Sequence, residues 1–467
     1  MILEQHYLAC LAQASYLIVD EGTRTAAVVD PRRDVELYLE RAAELGVELR
    51  YVLLTHFHAD FVSGHLELAA RTGAEILLGA AAAPEYAHRG LADGETLELG
   101  AVRLVALATP GHTPESTCYL VYDTDRDAEV PHAVLTGDTL FIGDVGRPDL
   151  MSSVGVTAEE LGRQLYDSLH DKLLSLPDET LVYPGHGAGS MCGKNLSTDT
   201  VSTIGAQRRF NYALQPMTRD AFVRLVTAGQ PEAPKYFGHD ARINKLRRAT
   251  LEESLERGLV PLPPERVLEL GDGEARLLDV RSPADFAAGH LAGSTNIPLE
   301  GSFATWAGTL LDPGQAVVIV ADPGREREAA VRLGRIGMDH VLGFLEGGYR
   351  AAADRPQRQA TLVRRQPAEL AASLARADAP LVLDVRGPGE WDAGHIEDAL
   401  LVPLAQLEQR LDEVPADRDV VVQCKSGYRS SVAASLLARH GRTRIADLVG
   451  GIDAWRAAEL PVVAPVG

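Results

Sequence analysis

Thr55-His56-Phe57-His58-Ala59-Asp60-Phe61-Val62-Ser63-Gly64-His65 is the stretch on which the reading of this chain turns. It follows the apolar run Tyr51-Val52-Leu53-Leu54, which predicts a buried strand. A strand that ends in His-x-His-x-Asp throws several ligand-type side chains into one small volume at a sheet edge. Three later stretches repeat the arrangement with one candidate each. Leu104–Leu107 leads to Thr109-Pro110-Gly111-His112, Ala133–Leu135 to Thr136-Gly137-Asp138, and Leu181-Val182-Tyr183 to Pro184-Gly185-His186. Glycine or proline accompanies each, which suits a tight turn at a strand end. A lone His56 or His112 reads as a hydrogen-bonded core residue. Four strand-end signals in order read as a metal site.

Size and composition bound what the site can serve. A chain of 467 residues is long enough for about three domains. With 46% apolar and 24% charged residues and no run long enough to span a bilayer, it reads as a soluble globular protein. A formal charge of −21 argues against nucleic acid or an anionic membrane as the main partner, though a local pocket can still take an anion. The start, Met1-Ile2-Leu3-Glu4-Gln5-His6, has no basic segment and no cleavable apolar core. Cysteines 10, 118, 192 and 424 are scattered and form no CxxC pair, which suits a reducing, cytoplasmic setting.

Around the ligand loop, residues 14 to 30 predict two strands about Glu21-Gly22, and Asp34 to Leu45 a helix capped by Asp34 and Gly46. Glu95 to Tyr122 reads as short β runs; Ala158 to Leu176 and Arg219 to Ala228 read as helices. Pro261-Leu262-Pro263-Pro264 marks a domain boundary. Beyond it the chain repeats itself. Leu277-Leu278-Asp279-Val280-Arg281 and Gly289-His290-Leu291 match Val382-Leu383-Asp384-Val385-Arg386 and Gly394-His395-Ile396. Gly347-Gly348-Tyr349 matches Gly450-Gly451-Ile452. Each copy alternates strand and helix, which predicts a small parallel α/β domain.

In the second copy, Val420-Val421-Val422-Gln423 runs into Cys424-Lys425-Ser426-Gly427-Tyr428-Arg429-Ser430 before a helix. Backbone N–H groups and the helix dipole favour an anion at such a turn, and Lys425 and Arg429 add charge. The expectation is a thiol of depressed pKa that can carry a persulfide, its outer sulfur held by the loop 425–428. In the first copy the loop reads Asp322-Pro323-Gly324-Arg325-Glu326-Arg327, and Asp322 is expected where Cys424 stands. A carboxylate cannot carry a sulfane sulfur, so that copy is expected to be inactive. Cys192, in Gly187–Asn195, follows the strand-end His186; a P-loop reading fails because Ala188 and Asn195 break the pattern. Cys192 is read either as a substrate-contacting thiol or as core. Arg147, in Gly146-Arg147-Pro148-Asp149, is read either as meeting the metal loop or an anionic substrate, or as a structural salt bridge. Cys10 and Cys118 sit in apolar runs and read as core.

The motif set of residues 1–250 resembles the metallo-β-lactamase fold, an αββα sandwich with metal at its strand ends. Residues 263–355 and 362–467 each resemble a rhodanese domain, the second with Cys424 and Arg429 as catalytic residues. Four residues separate Cys424 from Arg429, one fewer than in the cysteine phosphatases, which favours the rhodanese resemblance. The metallo-β-lactamase hydrolases carry a second-zinc histidine where Phe61 stands. An aromatic ring cannot ligate, so the resemblance implies a mononuclear centre, one Fe(II) held by His56, His112 and Asp138. His58, Asp60 and His186 then stand beside it as supporting residues. Together the parts resemble the persulfide dioxygenase–rhodanese fusions of sulfide detoxification. That resemblance implies a low-molecular-weight thiol persulfide, O2 and sulfite as the molecules handled, with Lys425, Ser426, Gly427 and Tyr428 lining the sulfur site. Self-association into a homo-oligomer is left open. A glyoxalase-II-like zinc thioesterase and a non-enzymatic sulfur carrier are the rival readings.

Overall fold

The computed structural model describes residues 1–150, 155–230, 233–273 and 275–464. Packing divides the chain into two compact units. The first is Met1–Glu253 with Leu333–Gly337; the second is Ser254–Arg332 with Met338–Gly467.

The first unit is an αββα sandwich. One sheet runs β1 (Ile2–Leu8), β2 (Gln13–Asp20), β3 (Thr25–Val29), β4 (Glu48–Leu53), β5 (Glu75–Gly79) and β6 (Arg89–Leu91), in that spatial order. β1 to β3 pair antiparallel and β3 to β6 parallel. The other sheet holds β7 (Thr96–Leu99), β8 (Val102–Ala108), β9 (Thr117–Asp123), β10 (Ala133–Gly137), β11 (Leu181–Pro184) and β12 (Ser202–Thr203), again in sequence order. Tyr16, Ile18, Val29, Leu53 and Leu77 from the first sheet meet Leu104, Tyr119, Val121 and Leu135 from the second in one core. The helix Glu36–Leu45 covers the outer face of the first sheet with Tyr38 and Ala42. The helices Ala158–Asp167 and Arg219–Thr227 cover the second with Leu165, Phe222 and Val226. Apolar side chains therefore line both faces of both sheets, as burial on two sides requires.

Two local expectations change. Val35, not Asp34, caps the first helix and makes no side-chain cap bond; the Asp34 carboxylate instead pairs with Arg32 at 3.2 Å. The segment expected as one helix over Ala158–Leu176 is α-helical only to Asp167, continues as a π turn over Ser168–Lys172, and closes as a 3₁₀ turn over Leu173–Ser175. Among the described residues no helix is long and apolar enough to cross a membrane.

The second unit holds both halves of the repeat, each with a five-stranded parallel sheet of the same strand order. Spatially the first runs Pro261–Leu262, Val341–Leu345, Val317–Val320, Arg276–Asp279, Thr295–Asn296. The second runs Val363–Arg365, Ile445–Leu448, Val420–Gln423, Leu381–Asp384, Leu400–Leu401. The repeated Asp-x-Arg motif has a structural purpose. Arg281 forks onto Asp279 and donates to the Gly289 carbonyl at 2.8 Å; Arg386 forks onto Asp384 and donates to Gly394 at 3.0 Å. Each fork ties a strand end to the Gly-His that follows the next helix.

The two copies share one unit because they interlock. The Asn296 side chain accepts from Ser431 Oγ at 2.7 Å, and its backbone N–H donates to Ser435 Oγ at 2.9 Å. Both serines lie on the helix Tyr428–Arg439 that follows the cysteine loop.

Candidate metal centre and cysteine loop

β4, β8, β10 and β11 end at one rim of the sandwich, and the turns after them carry His56, His112, Asp138 and His186. Glycine makes the approach possible. Gly137 sits at φ +48°, and a Cβ there would lie 2.5 Å from Thr55 Oγ1, so no larger residue lets the Asp138 turn close on the His56 strand.

His56 Nε2 and His112 Nε2 stand 3.8 and 3.5 Å from Asp138 Oδ2. His186 Nε2 is 3.6 Å from Asp138 Oδ1 and 3.4 Å from Asp60 Oδ2. One ligand-type atom from each of His56, His112 and Asp138 lies within 4.8 Å of the others. The same is true of His58, Asp60 and His186, and of Asp138, His186 and Cys192. All of these residues are buried. Both Asp138 oxygens, Asp60 Oδ1 and His186 Nε2 have no hydrogen-bond partner among the described residues. Buried polar atoms left so cost about 1–3 kcal/mol each, and a cation between them answers that cost. The donor set therefore fits a metal ion.

The rings are held from behind. His56 Nδ1 is 2.9 Å from Thr55 Oγ1, His112 Nδ1 2.9 Å from the Arg147 carbonyl, and His186 Nδ1 3.2 Å from the Ala12 carbonyl. These contacts turn each Nε2 toward the centre. Burial, then the neighbouring His58, His112 and His186, hold the His56 pKa well below the imidazole range, which disfavours its charged form. Burial opposes a charge on His58, but Asp30, 3.0 Å from its Nε2, together with Asp138 and Asp60 carries its pKa above the usual value. Burial raises the Asp60 carboxyl against the opposing pull of His186.

Asp30 was not singled out from the sequence. Its carboxylate also accepts from the Thr55 N–H and hydroxyl, each at 2.8 Å. The signal existed: Val28-Val29-Asp30-Pro31 is a further strand ending in a ligand-type residue beside a proline. Asn244 was missed as well. Its side chain accepts from Ser63 N–H and donates to the His58 and Phe61 carbonyls, pinning the ligand loop. No local pattern marks it. His65 stays out of the site, buried with its ring 4.7 Å from that of Tyr86 and its pKa pushed down by burial to about 3.

Phe61 is fully buried, its ring 4.3 Å from that of His58. Cys192 is also buried, and its thiol pKa is driven well up by burial and then by Asp60 and Asp138. Arg147 forks onto Asp149 at 2.7 and 2.6 Å, and its backbone N–H donates to the Cys192 carbonyl at 3.0 Å. Arg147 is thus a structural ion pair that also braces His112 and the Cys192 loop.

In the second unit, Cys424 lies buried at the end of Val420–Gln423. The Gly427 N–H donates to its Sγ at 3.1 Å, Gly427 itself being at φ +98°, and Ser430 Oγ lies 3.6 Å away. Ser426 is exposed on the loop and Tyr428 opens the helix. The two cations are not free. Arg429 forks onto Glu390 at 2.7 and 2.7 Å, and Lys425 Nζ is 2.7 Å from Asp453 Oδ2. Burial opposes the Arg429 charge, but Glu390 raises its pKa. The sulfur therefore faces backbone N–H and the helix N-terminus rather than net positive side chains.

One expectation about the first copy is corrected by register. Asp279 pairs with Val320 as Asp384 pairs with Gln423, so Ala321, not Asp322, is the counterpart of Cys424. The glycines agree: Gly324 at φ +93° matches Gly427 at +98°, and Gly348 abuts the Ala321 carbonyl as Gly451 abuts that of Cys424. The counterpart of Arg429 is then Glu326. An alanine side chain offers no nucleophile, so the absence of a sulfur carrier in this copy has a different cause from the one expected.

Residues 8–186 match the metallo-beta-lactamase superfamily, and residues 264–354 and 366–458 each match the rhodanese-like domain. A probable metallo-hydrolase of Burkholderia pseudomallei is 32% identical over 265 residues, 49% of this chain and 86% of that protein. The chain belongs to the metallo-β-lactamase superfamily. Its metallo-β-lactamase domain is followed by two rhodanese-like copies. The mitochondrial persulfide dioxygenase ETHE1 of Homo sapiens is 29% identical over 241 residues, 50% of this chain and 83% of that protein. The crystal structure of a metallo-beta-lactamase from Staphylococcus aureus superimposes with a TM-score of 0.66 at 30% identity, covering 73% of this chain and 98% of that one. That coverage extends the likeness beyond the metallo-β-lactamase domain.

Proposed function

We propose that this chain is a non-haem iron(II) persulfide dioxygenase joined to a sulfurtransferase. It oxidises a low-molecular-weight thiol persulfide to sulfite and forms thiosulfate. The observation that carries the reading is one polypeptide holding the His56–His112–Asp138 cluster, with Phe61 beside it, and a cysteine loop in a rhodanese-like copy. Two imidazoles and a carboxylate with open positions form the ferrous oxygenase donor set. Likeness to a persulfide dioxygenase supports the same choice.

His56, His112 and Asp138 would hold one Fe(II), which supplies binding and activation of O2 beside the persulfide sulfur. The chain does the rest. Thr55 and the Arg147 carbonyl fix the two rings, and the buried rim keeps bulk water from the reacting sulfur. Atoms balance as R-S-SH, O2 and water giving R-SH, hydrogen sulfite and a proton. At the second site the Cys424 thiolate attacks the outer sulfur of another persulfide and releases R-SH. The Gly427 N–H, which donates to Cys424 Sγ, steadies the attacking thiolate, and sulfite then attacks the transferred outer sulfur to give thiosulfate and regenerate Cys424. The four free cysteines fit a reducing, cytoplasmic setting for this chemistry.

Metal analysis of anaerobically purified protein, followed by oxygen uptake with several persulfides, tests the reading. About one iron per chain and persulfide-dependent uptake are expected. The metallo-hydrolase named among the relatives favours a hydrolytic rival, of which the zinc thioesterase is one form. Two tightly bound zinc ions in protein that cleaves thioesters and takes up no oxygen would establish that rival instead.

A further inference from the structure

The sequence repeat acts as an internal control for what accompanies the cysteine. In the second copy Asp447 pairs with Val422, and Arg364 with Asp447. In the first, Phe344 pairs with Ile319, and Pro261 with Phe344. Phe344 and Pro261 are therefore the counterparts of Asp447 and Arg364. Counting on from Ala321 and Cys424, Arg327 is that of Ser430. Where Ala321 replaces Cys424, the carboxylate and the hydroxyl are gone as well. A buried carboxylate is costly to keep, so its presence only beside the sulfur points to a use.

Asp447 and Ser430 are both fully buried. Asp447 lies on the strand Ile445–Leu448, and Ser430 on the helix Tyr428–Arg439 that packs against it. The Cys424 thiol donates to Ser430 Oγ at 3.6 Å. The serine keeps its own proton for another acceptor, and Asp447 is the carboxylate on which that hydroxyl acts. Arg364 Nε donates to Asp447 Oδ2 at 3.2 Å, while Oδ1 has no hydrogen-bond partner among the described residues. Burial pushes the Asp447 carboxyl from 3.8 up to about 6, against the pull of Ser430 and then Arg364. A carboxylate of that strength can take a proton near neutral pH. The other charges of the loop are engaged elsewhere: Lys425 with Asp453, and Arg429 with Glu390, Asp384 standing near Arg429.

We propose that Ser430 and Asp447 form a proton relay for Cys424, the serine hydroxyl handing the thiol proton on to the buried carboxylate. The S–H bond breaks and an O–H bond forms at Ser430 as the serine's own proton moves to Asp447 Oδ1. The products are a thiolate, an intact serine and a neutral carboxylic acid, with no change of oxidation state. The reverse transfer protonates the sulfur when a persulfide on Cys424 is discharged. With both loop cations paired, the relay supplies the thiolate that net positive charge does not. The proposal rests on reading Cys424 as the sulfur carrier and extends it to the groups that make and quench the thiolate.

The test follows alkylation of Cys424 by iodoacetamide in the full-length protein across roughly pH 4.5 to 9, the Cys424 peptide being quantified by mass spectrometry. A thiol and a carboxylate that share one proton keep a fixed fraction as thiolate plus acid. The parent rate should therefore level off from about pH 6 up to the alkaline limb. Asp447→Asn keeps the shape but cannot take the proton. Its rate should go on falling about tenfold per pH unit as pH drops, to at least about tenfold below the parent at pH 6. Ser430→Ala should do the same, and serves if the Asn variant misfolds. A parent without the plateau, or a plateau kept in either folded variant, overturns the proposal. Thiosulfate:cyanide transfer is measured on the same preparations. A plateau lost in the variants, in a parent that transfers no sulfur, would leave the relay standing and remove the sulfurtransferase reading.

Discussion

The hydroxyl of Tyr428 donates to the backbone carbonyl of Pro298 at 2.8 Å. Tyr428 belongs to the copy with the cysteine and Pro298 to the copy without one. The residue before Tyr428 is Gly427, whose N–H points at Cys424 Sγ. The bond therefore ties the copy without a cysteine to the loop that holds Cys424. Tyr428→Phe keeps the ring and removes only this bond, worth about 1 kcal/mol. In thiosulfate:cyanide transfer, kcat should fall about three- to tenfold, with KM for thiosulfate changed less than about twofold. Steady-state kinetics decide it; an unchanged kcat would show that the tie has no bearing on the loop.

Asp322 is the counterpart of Lys425 and stands beside Ala321, which has no nucleophile. Asp322→Ala should therefore alter neither sulfur transfer nor oxygen uptake by more than about twofold, since a role in chemistry typically costs tenfold or more. A hundredfold loss in correctly folded protein would give this copy a catalytic part.

Asp138 faces both His56 and His112. Asp138→Ala should remove the iron and the oxygen uptake together. Transfer at Cys424 should stay within about twofold, because the two sites lie in separate compact units. Iron content by elemental analysis and the two assays on one preparation check this. Retained iron would exclude Asp138 as a ligand.

Cys424→Ser keeps nearly the same volume but cannot form a persulfide. Iron and oxygen uptake should persist while the product of persulfide oxidation changes from thiosulfate to sulfite. Thiols and sulfur anions are quantified together, with correction for the spontaneous reaction of sulfite with persulfide. Thiosulfate formed at the parent rate would remove Cys424 from the pathway.

Glu67 sits buried between Arg33 at 3.0 Å and Arg248 at 2.6 Å. Burial alone would raise its pKa, but Arg248 and then Arg33 bring it down from 4.5 to about 2. A depressed carboxylate stabilises the fold above its unfolded pKa and loses that contribution as pH falls. Stability should drop by about 3 kcal/mol between roughly pH 4.5 and pH 2. Glu67→Gln should flatten that part of the pH profile and cost about 3–5 kcal/mol at neutral pH, since it takes away the carboxylate that two buried arginines share. Denaturant unfolding across the acid range measures both. An unaltered acid limb in the variant would refute the assignment.

Much of this molecule is legible in its sequence because the signals are local. Strand periodicity, turn glycines and ligand-type residues at four strand ends point to the sandwich and to His56, His112, Asp138 and His186 without any coordinates. The repeated Asp279-Val280-Arg281 and Asp384-Val385-Arg386 do the same for the duplicated domains. What the tertiary structure alone decided is the partner of each charge and the register between elements. Arg429 and Lys425 read as free cations beside Cys424, yet Glu390, 39 residues away, and Asp453, 28 away, neutralise them. Asp322 reads as the counterpart of Cys424 until strand pairing hands that place to Ala321. Cys192 reads as core or as substrate contact until loop packing sets it among the unpartnered atoms of Asp138 and His186. Periodicity and turn chemistry act over a few residues along the chain. Charge pairing and ligand sets depend on distances through space, which only the packing of distant segments determines.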